Sequence, residues 1–361
     1  MQDGPRLKGL VATGGKGSRL RPFTYTGAKQ LVPVANKPVL FYAIEQLVAA
    51  GVTEIGVVVG DTAAQVQEAL GDGARFGARF TFLHQEQPLG IAHTLIVARD
   101  FLGDAPFIMF LGDNFLRGGV SVLVDRFLRE QPAAQVHLVR VPNPSEFGVA
   151  VLDANGQLTR LVEKPAIPPT DLAVIGIYMF RPEVHQIVAG LKPSARGELE
   201  ITEAIQGLID GGSRVDALPV EDHWIDTGRM SDILEANRLV LDLLQPSVRG
   251  VVDADSRLTG RVVVEEGARV IASTIEGPAI IGRDTLVERA YIGPYTSIYY
   301  SCQIVEAELS GSVVLERTRI EGLVRRIEGS LIGRDVRLSG AESRPRAYRL
   351  VLGDHSEARL P

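Results

Sequence analysis

From Leu7 to about Leu244, short aliphatic runs alternate with stretches whose apolar residues recur at helical spacing. The runs are Leu7 to Thr13, Ile55 to Val59, Phe80 to Leu83, Phe107 to Leu111, Val136 to Val141 and Val174 to Phe180. Strands alternating with helical patterns predict βαβ units and a mostly parallel sheet with helices on both faces. In one such pattern Leu40, Ile44, Leu47 and Val48 share a helix face, and Gly51 closes the segment. Around Gln245-Pro246 the texture changes to short β-rich units separated by Gly and charged residues. Counting by six from Ile280 reaches Leu286, Ile292, Ile298 and Ile304, an aliphatic residue at every step, with Gly282 and Gly293 at turns. Val314 to Ile320 and Ile332 to Leu338 repeat that step. The period predicts a hexapeptide-repeat parallel β-helix that stacks aliphatic residues from coil to coil, against the alternative of a plain antiparallel sandwich. The expected division is residues 1–245 for the α/β domain and 250–361 for the β-helix.

Composition narrows the class. A chain of 361 residues has room for two domains, and 45% hydrophobic with 23% charged residues excludes disorder and fibre. A net charge of −6 weighs against a broad nucleic-acid footprint. The single cysteine, Cys302, offers no disulfide and no metal framework, and reads as a small buried residue. The first six residues lack a long apolar stretch behind a basic region, and no run approaches the roughly 18 apolar residues of a membrane helix. The expectation is a cytoplasmic protein with neither membrane nor nucleic acid as partner.

The first strand runs into Gly14-Gly15-Lys16-Gly17-Ser18-Arg19-Leu20-Arg21-Pro22. Glycines at such a turn let backbone N–H groups approach an anion closely, and Lys16, Arg19 and Arg21 add charge suited to a triphosphate. It is not a P-loop, because Gly17 follows Lys16 where Ser or Thr is needed, and Leu20 stands where a dinucleotide fingerprint needs Gly. A few residues later comes Lys29-Gln30-Leu31-Val32-Pro33-Val34-Ala35-Asn36-Lys37-Pro38. Asp113 follows the apolar strand Phe107 to Leu111, and Asp226 follows Trp224-Ile225. A carboxylate at a strand end can present hard oxygen to Mg²⁺ at the carboxyl edge of a sheet, or, more commonly for a lone aspartate, form a turn or cap a helix.

The paired motifs resemble the signature of the sugar-1-phosphate nucleotidylyltransferases. The resemblance continues through Gly112-Asp113-Asn114, Phe147-Gly148, Glu163-Lys164-Pro165, Arg196 to Thr202 and Trp224 to Gly228, about 225 residues in all. Within that family the chain is most similar to the thymidylyltransferases acting on glucose 1-phosphate, in their long form with a β-helix. The resemblance implies a Rossmann-like catalytic domain and a left-handed β-helix. It implies Mg²⁺ as cofactor, held by Asp113 and Asp226, with dTTP or UTP and glucose 1-phosphate as substrates and a homo-oligomeric assembly. Arg19 would neutralise the triphosphate and the departing pyrophosphate, and Lys29 would touch the α-phosphate. Gly14, Gly15, Gly17 and Ser18 would cradle the nucleotide, with Gln85 and Gly90 reading the pyrimidine edge and Gln87 as a rival to Gln85. Lys164 and Arg196 would clamp the sugar phosphate, and Asn114, Gly148, Glu163 and Val174 would line the sugar. Thr13, Leu89 and Ile175 depart from the family's usual residues, which bears on base and sugar choice. His93 and His223 have no second histidine at metal-ligand spacing and read as structural.

Other readings remain open at this stage. One is a uridylyl- or guanylyltransferase acting on glucose, N-acetylglucosamine or mannose 1-phosphate. A bifunctional form with acetyl transfer in the β-helix lacks a histidine there except His355, near the chain end. A non-catalytic regulatory subunit would be expected to have lost Arg19, Lys29, Asp113 or Asp226, and all four are present. A glycosyltransferase of related fold would favour Asp-x-Asp, whereas Asn114-Phe115 follows Asp113. The β-helix itself is expected to serve oligomer contact or stability.

Overall fold

The computed structural model describes residues 6–15, 17–340 and 355–358. Two compact units emerge, one within Met1–Lys16 and Leu40–Asp226, the other within Gly17–Val39 and Thr227–Pro361.

The first unit is built on a nine-stranded sheet. Lys8–Ala12 lies between Glu54–Val59 and Phe107–Leu111, and Arg79–His84 flanks Glu54–Val59, all four strands parallel. Leu172–Phe180 runs antiparallel to Phe107–Leu111 and to Ala134–Arg140, which Val215–Pro219 follows in parallel. Gly148–Leu152 joins the start of Leu172–Phe180, and Leu158–Glu163 folds back on it as a hairpin. By these pairings only Leu172–Phe180 and Leu158–Glu163 oppose the common direction, so the sheet is mostly parallel. All six aliphatic runs named above are strands, and the helix expected over 40–50 is Val39–Ala49. The strands of the parallel centre are buried along most of their length, as a sheet covered on both faces requires. Their core includes Leu10, Val58, Phe107, Met109 and Phe180, packed with Leu95, Ile201 and Ile205.

His137 is a polar member of this interior. Its Nδ1 lies 2.9 Å from the Ile177 carbonyl and its Nε2 lies 3.1 Å from Gln135 Nε2. A neutral ring satisfies both contacts, donating from Nδ1–H and accepting at Nε2. Burial pushes its pKa down to about 4, opposed by the Ile177 hydrogen bond. The unfolded chain takes up a proton near the ordinary value of 6.5 while the folded chain does not, so stability falls as pH drops from 6.5 towards 4. The full effect is on the order of 3 kcal/mol. The urea midpoint should fall between pH 7 and pH 5, with a shallower dependence in His137→Gln; an equal slope in the variant would assign the acid sensitivity elsewhere.

Among the described residues the second unit contains three all-parallel sheets of six, six and five short strands, the arrangement of a left-handed parallel β-helix. Ala279 pairs with Val262 and with Thr296, 17 residues to either side. The interior stack comprises Val264, Val270, Ile275, Ile281, Val287, Ile292, Ile298, Ile304 and Leu309, among others. The strict count of six is therefore corrected at its first two members. Ile281 and Val287 point inward, whereas Ile280 packs in a separate outer cluster and Leu286 is half-buried. A three-sided coil of 17 residues has one side a residue short, so counting in sixes drifts by one each turn. Cys302 lies in the stack and burial raises its thiol to about 11, which keeps it protonated and inert. Among the described residues no helix is long and apolar enough to cross a membrane.

Candidate active site

Three parallel strands deliver site residues to one edge of the sheet. Gly14 follows Lys8–Ala12, Gln85 follows Arg79–His84, and Asp113 follows Phe107–Leu111, each just past the carboxyl end. This is the edge at which open α/β sheets bind ligands. The Ala173–Val149 pair lies four residues past the Ile177–Phe110 pair, beyond those same strand ends. Gly148 and Glu163, which pair with each other, are carried to that side with it.

Asp113 and Asp226, separated by more than a hundred residues, are brought together by a short antiparallel pair. Asn114–Leu116 pairs with Trp224–Asp226, with Asp226 opposite Asn114. Asn114 is the hub. Its Nδ2 donates to Asp113 Oδ1 at 3.0 Å, while its Oδ1 accepts from Trp224 Nε1 at 2.7 Å and the Gly176 N–H at 3.1 Å. A Cβ on Gly176 would stand 2.6 Å from that Oδ1, so the approach requires glycine. Asn114 thus serves as a brace among these groups. The phenol of Tyr178 reports the convergence: burial raises its pKa above the ordinary value, and the charges of Glu163, Asp113 and Asp226 raise it further. Three carboxylates from distant strands therefore act on one buried hydroxyl.

Beside them lies a cradle of charged side chains. Glu163 Oε2 accepts from Thr202 Oγ1 at 3.0 Å, and Glu163 Oε1 accepts from Arg196 Nη1 at 3.1 Å, with Lys164 Nζ at 3.8 Å. Arg196 also meets Glu198 at 2.9 Å and Glu200 at 3.6 Å. Partial burial disfavours its charge, but Glu200, Glu198 and Glu163 more than offset this and push its pKa above the ordinary value. Lys164 and Arg196 are thus held side by side on one carboxylate. A Cβ on Gly148 would lie 2.6 Å from Thr202 Cγ2 and 3.4 Å from Glu163 Oε2. Gly148→Ala should therefore displace the Glu163–Thr202 pair and lower the Tm; thermal unfolding of the variant would show it, and an unchanged Tm would contradict it. Val174 sits in the apolar core beneath.

Gln85 is buried, its Nε2 2.8 Å from His93 Nδ1. Burial lowers the His93 pKa, and the neutral ring can accept from the amide. A Cβ on Gly14 would lie 3.2 Å from Gln85 Oε1, so the amide faces the glycine turn. Gln87, by contrast, is exposed. Gly90 has φ +104° and passes so close to Leu199 that a Cβ would come within 2.5 Å of its carbonyl oxygen. Leu199 donates its N–H to Leu89 O at 2.7 Å and accepts from Ala92 N–H at 3.0 Å, tying the Gln85 loop to the cradle loop. His93, Thr202 and Tyr178 were not singled out as site residues by sequence. Thr202 lay within a quoted motif; His93 and Tyr178 carry no local signal.

Arg19 and Lys29 belong to the second unit, on the turns Ser18–Leu20 and Lys29–Leu31. Gly17 at φ +56° brings the turns together, since a Cβ there would stand 2.9 Å from Thr24 Cγ2 and 3.1 Å from Lys29 Cβ. Thr24 Oγ1 donates to Gly17 O at 2.6 Å. Ser18 and Arg19 are exposed, as is Gly15 at φ +105° in the first unit. Lys16 lies outside the described residues. His223 is exposed beside Asp222.

The paired aspartates fit a divalent cation of hard-oxygen preference. Mg²⁺ is commonly bound by one or two carboxylates, with phosphate oxygens and water completing its octahedron. No cluster of three or more His, Cys, Asp or Glu suited to a metal occurs among the described residues.

A glycine turn, two carboxylates and a Lys–Arg pair lie along the carboxyl edge of a parallel sheet, the edge at which open α/β folds bind ligands. The chain belongs to the nucleotidyl transferase family, which it matches over residues 8–242. It is 52% identical over 354 residues to a glucose-1-phosphate thymidylyltransferase of Streptomyces griseus, covering 98% of this chain and 99% of that one. It is 44% identical to the low-salt glycan biosynthesis nucleotidyltransferase Agl11 of Haloferax volcanii, with 98% and 100% covered. A Bacillus anthracis structure assigned to glucose-1-phosphate thymidylyltransferase superimposes with a TM-score of 0.63 at 33% identity, covering 67% of this chain and 98% of that one.

Proposed function

We propose that this chain transfers dTMP from dTTP to glucose 1-phosphate, giving dTDP-glucose and pyrophosphate. The convergence of Asp113, Asp226 and Glu163 on Tyr178, beside the Lys164–Arg196 cradle, carries the reading. The Streptomyces griseus relative, similar along its whole length, supports thymidine and glucose as the choices. A phosphate oxygen of glucose 1-phosphate attacks the α-phosphorus, a new P–O bond forms, and the bond to the bridging oxygen of pyrophosphate breaks. The attacking phosphate is already ionised, so no general base is required. Lys164 and Arg196 hold it, and Glu163 accepts sugar hydroxyls. Lys29 stabilises charge at the α-phosphate and Arg19 that on the departing pyrophosphate, so both act where negative charge grows. Mg²⁺ held by Asp113 and Asp226 would supply further positive charge at the α-phosphate. Gln85 reads the base from beside Gly14, with its amide oriented by His93. We assign the reaction to the cytoplasm, where nucleoside triphosphates are made, and to a homo-oligomer.

The test is a panel of dTTP, UTP, GTP and ATP against glucose, N-acetylglucosamine and mannose 1-phosphates, followed by pyrophosphate release. The highest kcat/KM should fall on dTTP with glucose 1-phosphate. A clear preference for another pair would replace the substrate assignment, and no release with any pair would reject the activity.

A further inference from the structure

The segment 17–39 carries Arg19 and Lys29 but has little regular structure of its own. It comprises three single-turn helices and the two-residue strands Pro33–Val34 and Lys37–Pro38. Pieces so short do not hold a conformation unaided, so the restraint must come from what they pack against.

That partner is one outer face of the β-helix. In one sheet the strands Val262–Val264, Ala279–Ile281, Thr296–Ile298, Val313–Val314 and Leu331–Ile332 are buried at every residue, so both faces are covered there, while the end strand Ser247–Val248 is exposed. A neighbouring sheet instead turns Arg269, Gln303, Arg319 and Arg337 to solvent. Leu20 and Val32 pack with Ile233 of the helix Met230–Leu241 and with Val313, Leu315 and Leu331. Ala35 packs with Leu241, Val263 and Ile280. Phe23 lies against Gly333, and Gly27 approaches the Arg334 guanidinium so closely that a Cβ would stand 3.0 Å from Nη2.

Polar contacts fix the register of this packing. Asn237, on the same helix and 1% exposed, accepts at Oδ1 from the Ala35 N–H at 2.9 Å and from Ser297 Oγ at 2.6 Å. Its Nδ2 donates to the Tyr295 carbonyl at 3.1 Å, and Asn36 Nδ2 donates to the Ile298 carbonyl at 2.8 Å. One buried amide thus joins the segment, the helix and two places on the β-helix, and loss of such a hub leaves buried groups unsatisfied.

From this arrangement we infer that the β-helix face, acting through Asn237, Asn36 and Ser297, positions the turns that present Arg19 and Lys29. These three are positioning residues, and the β-helix is part of the catalytic apparatus. The inference rests on the phosphate roles proposed for Arg19 and Lys29.

The test uses the full-length protein with Asn237→Ala and the milder Asn36→Ala, beside Val270→Ala, which opens a cavity inside the β-helix away from this face. Asn237→Ala should lower kcat about tenfold to a hundredfold, the cost of misplacing groups by an ångström or so. Its KM for glucose 1-phosphate should hold within about twofold, because Lys164 and Arg196 belong to the other unit and make no contact through Asn237's hydrogen bonds. Peptides spanning 17–39 should exchange amide hydrogens faster, and Asn36→Ala should show the same pattern at smaller amplitude. Val270→Ala should lower the Tm yet keep kcat at the assay temperature. Wild-type kcat in both Asn variants, or a kcat loss in Val270→Ala matching theirs at equal Tm, overturns the inference. Full activity in Arg19→Ala would instead remove the reading beneath it.

Discussion

Replacing either Asp113 or Asp226 with Asn is expected to cut Mg²⁺-dependent pyrophosphate release by about 10²–10³-fold or more. The substitution preserves shape and volume while removing the charge that would hold the cation. Asn114 donates to Asp113 Oδ1, a contact that an amide oxygen at residue 113 can still accept, and Asp226 lies in a paired strand whose backbone bonds are unaffected. The Tm should therefore move little. Losing one carboxylate should also demand more Mg²⁺ for half-maximal rate in any residual activity. Near-normal turnover at ordinary Mg²⁺ in either variant would reject the metal assignment.

Arg19→Ala is expected to be of comparable severity, a loss of about 10³-fold in kcat, the scale of an arginine that meets phosphoryl charge in the transition state. Arg19 is exposed on its turn, while its neighbour Leu20 supplies the packing, so the fold should tolerate the change. Arg19→Lys should recover part of the rate, since it restores charge but not the bidentate fork. The comparison with Lys164 separates the two ends of the reaction: a fault at Lys164 should appear mainly in the KM for sugar phosphate, and a fault at Arg19 mainly in kcat. Equal KM effects in both would contradict that division.

The strands of the catalytic sheet were legible because a strand buried on both faces must be almost wholly apolar, as Phe107 to Leu111 is. Coil stacking likewise leaves a period, visible from Ile292 to Ile304 but misread by one residue at Ile280 and Leu286, where the short side of the coil intervenes. The meeting of Asp113 with Asp226 left no local pattern, because it depends on a three-residue strand pair closing a long loop. Family motifs named those residues, and the pairing supplies the physical cause. His93 reads as structural for want of a second histidine at metal-ligand spacing, and the contact of its Nδ1 with an amide eight residues back leaves no mark in that spacing. The bed beneath residues 17–39 was illegible for the same reason: Ala35 and Asn36 reach partners more than two hundred residues away.

The central claim is nucleotidyl transfer at the α-phosphorus. The most direct measurement gives the purified chain Mg²⁺, glucose 1-phosphate and dTTP labelled with ³²P at either the α or the γ position. The α label should pass into a sugar nucleotide in step with pyrophosphate release, and the γ label should appear only in pyrophosphate. Transfer of the γ label to the sugar phosphate, or release of the α label as free dTMP, would contradict the account.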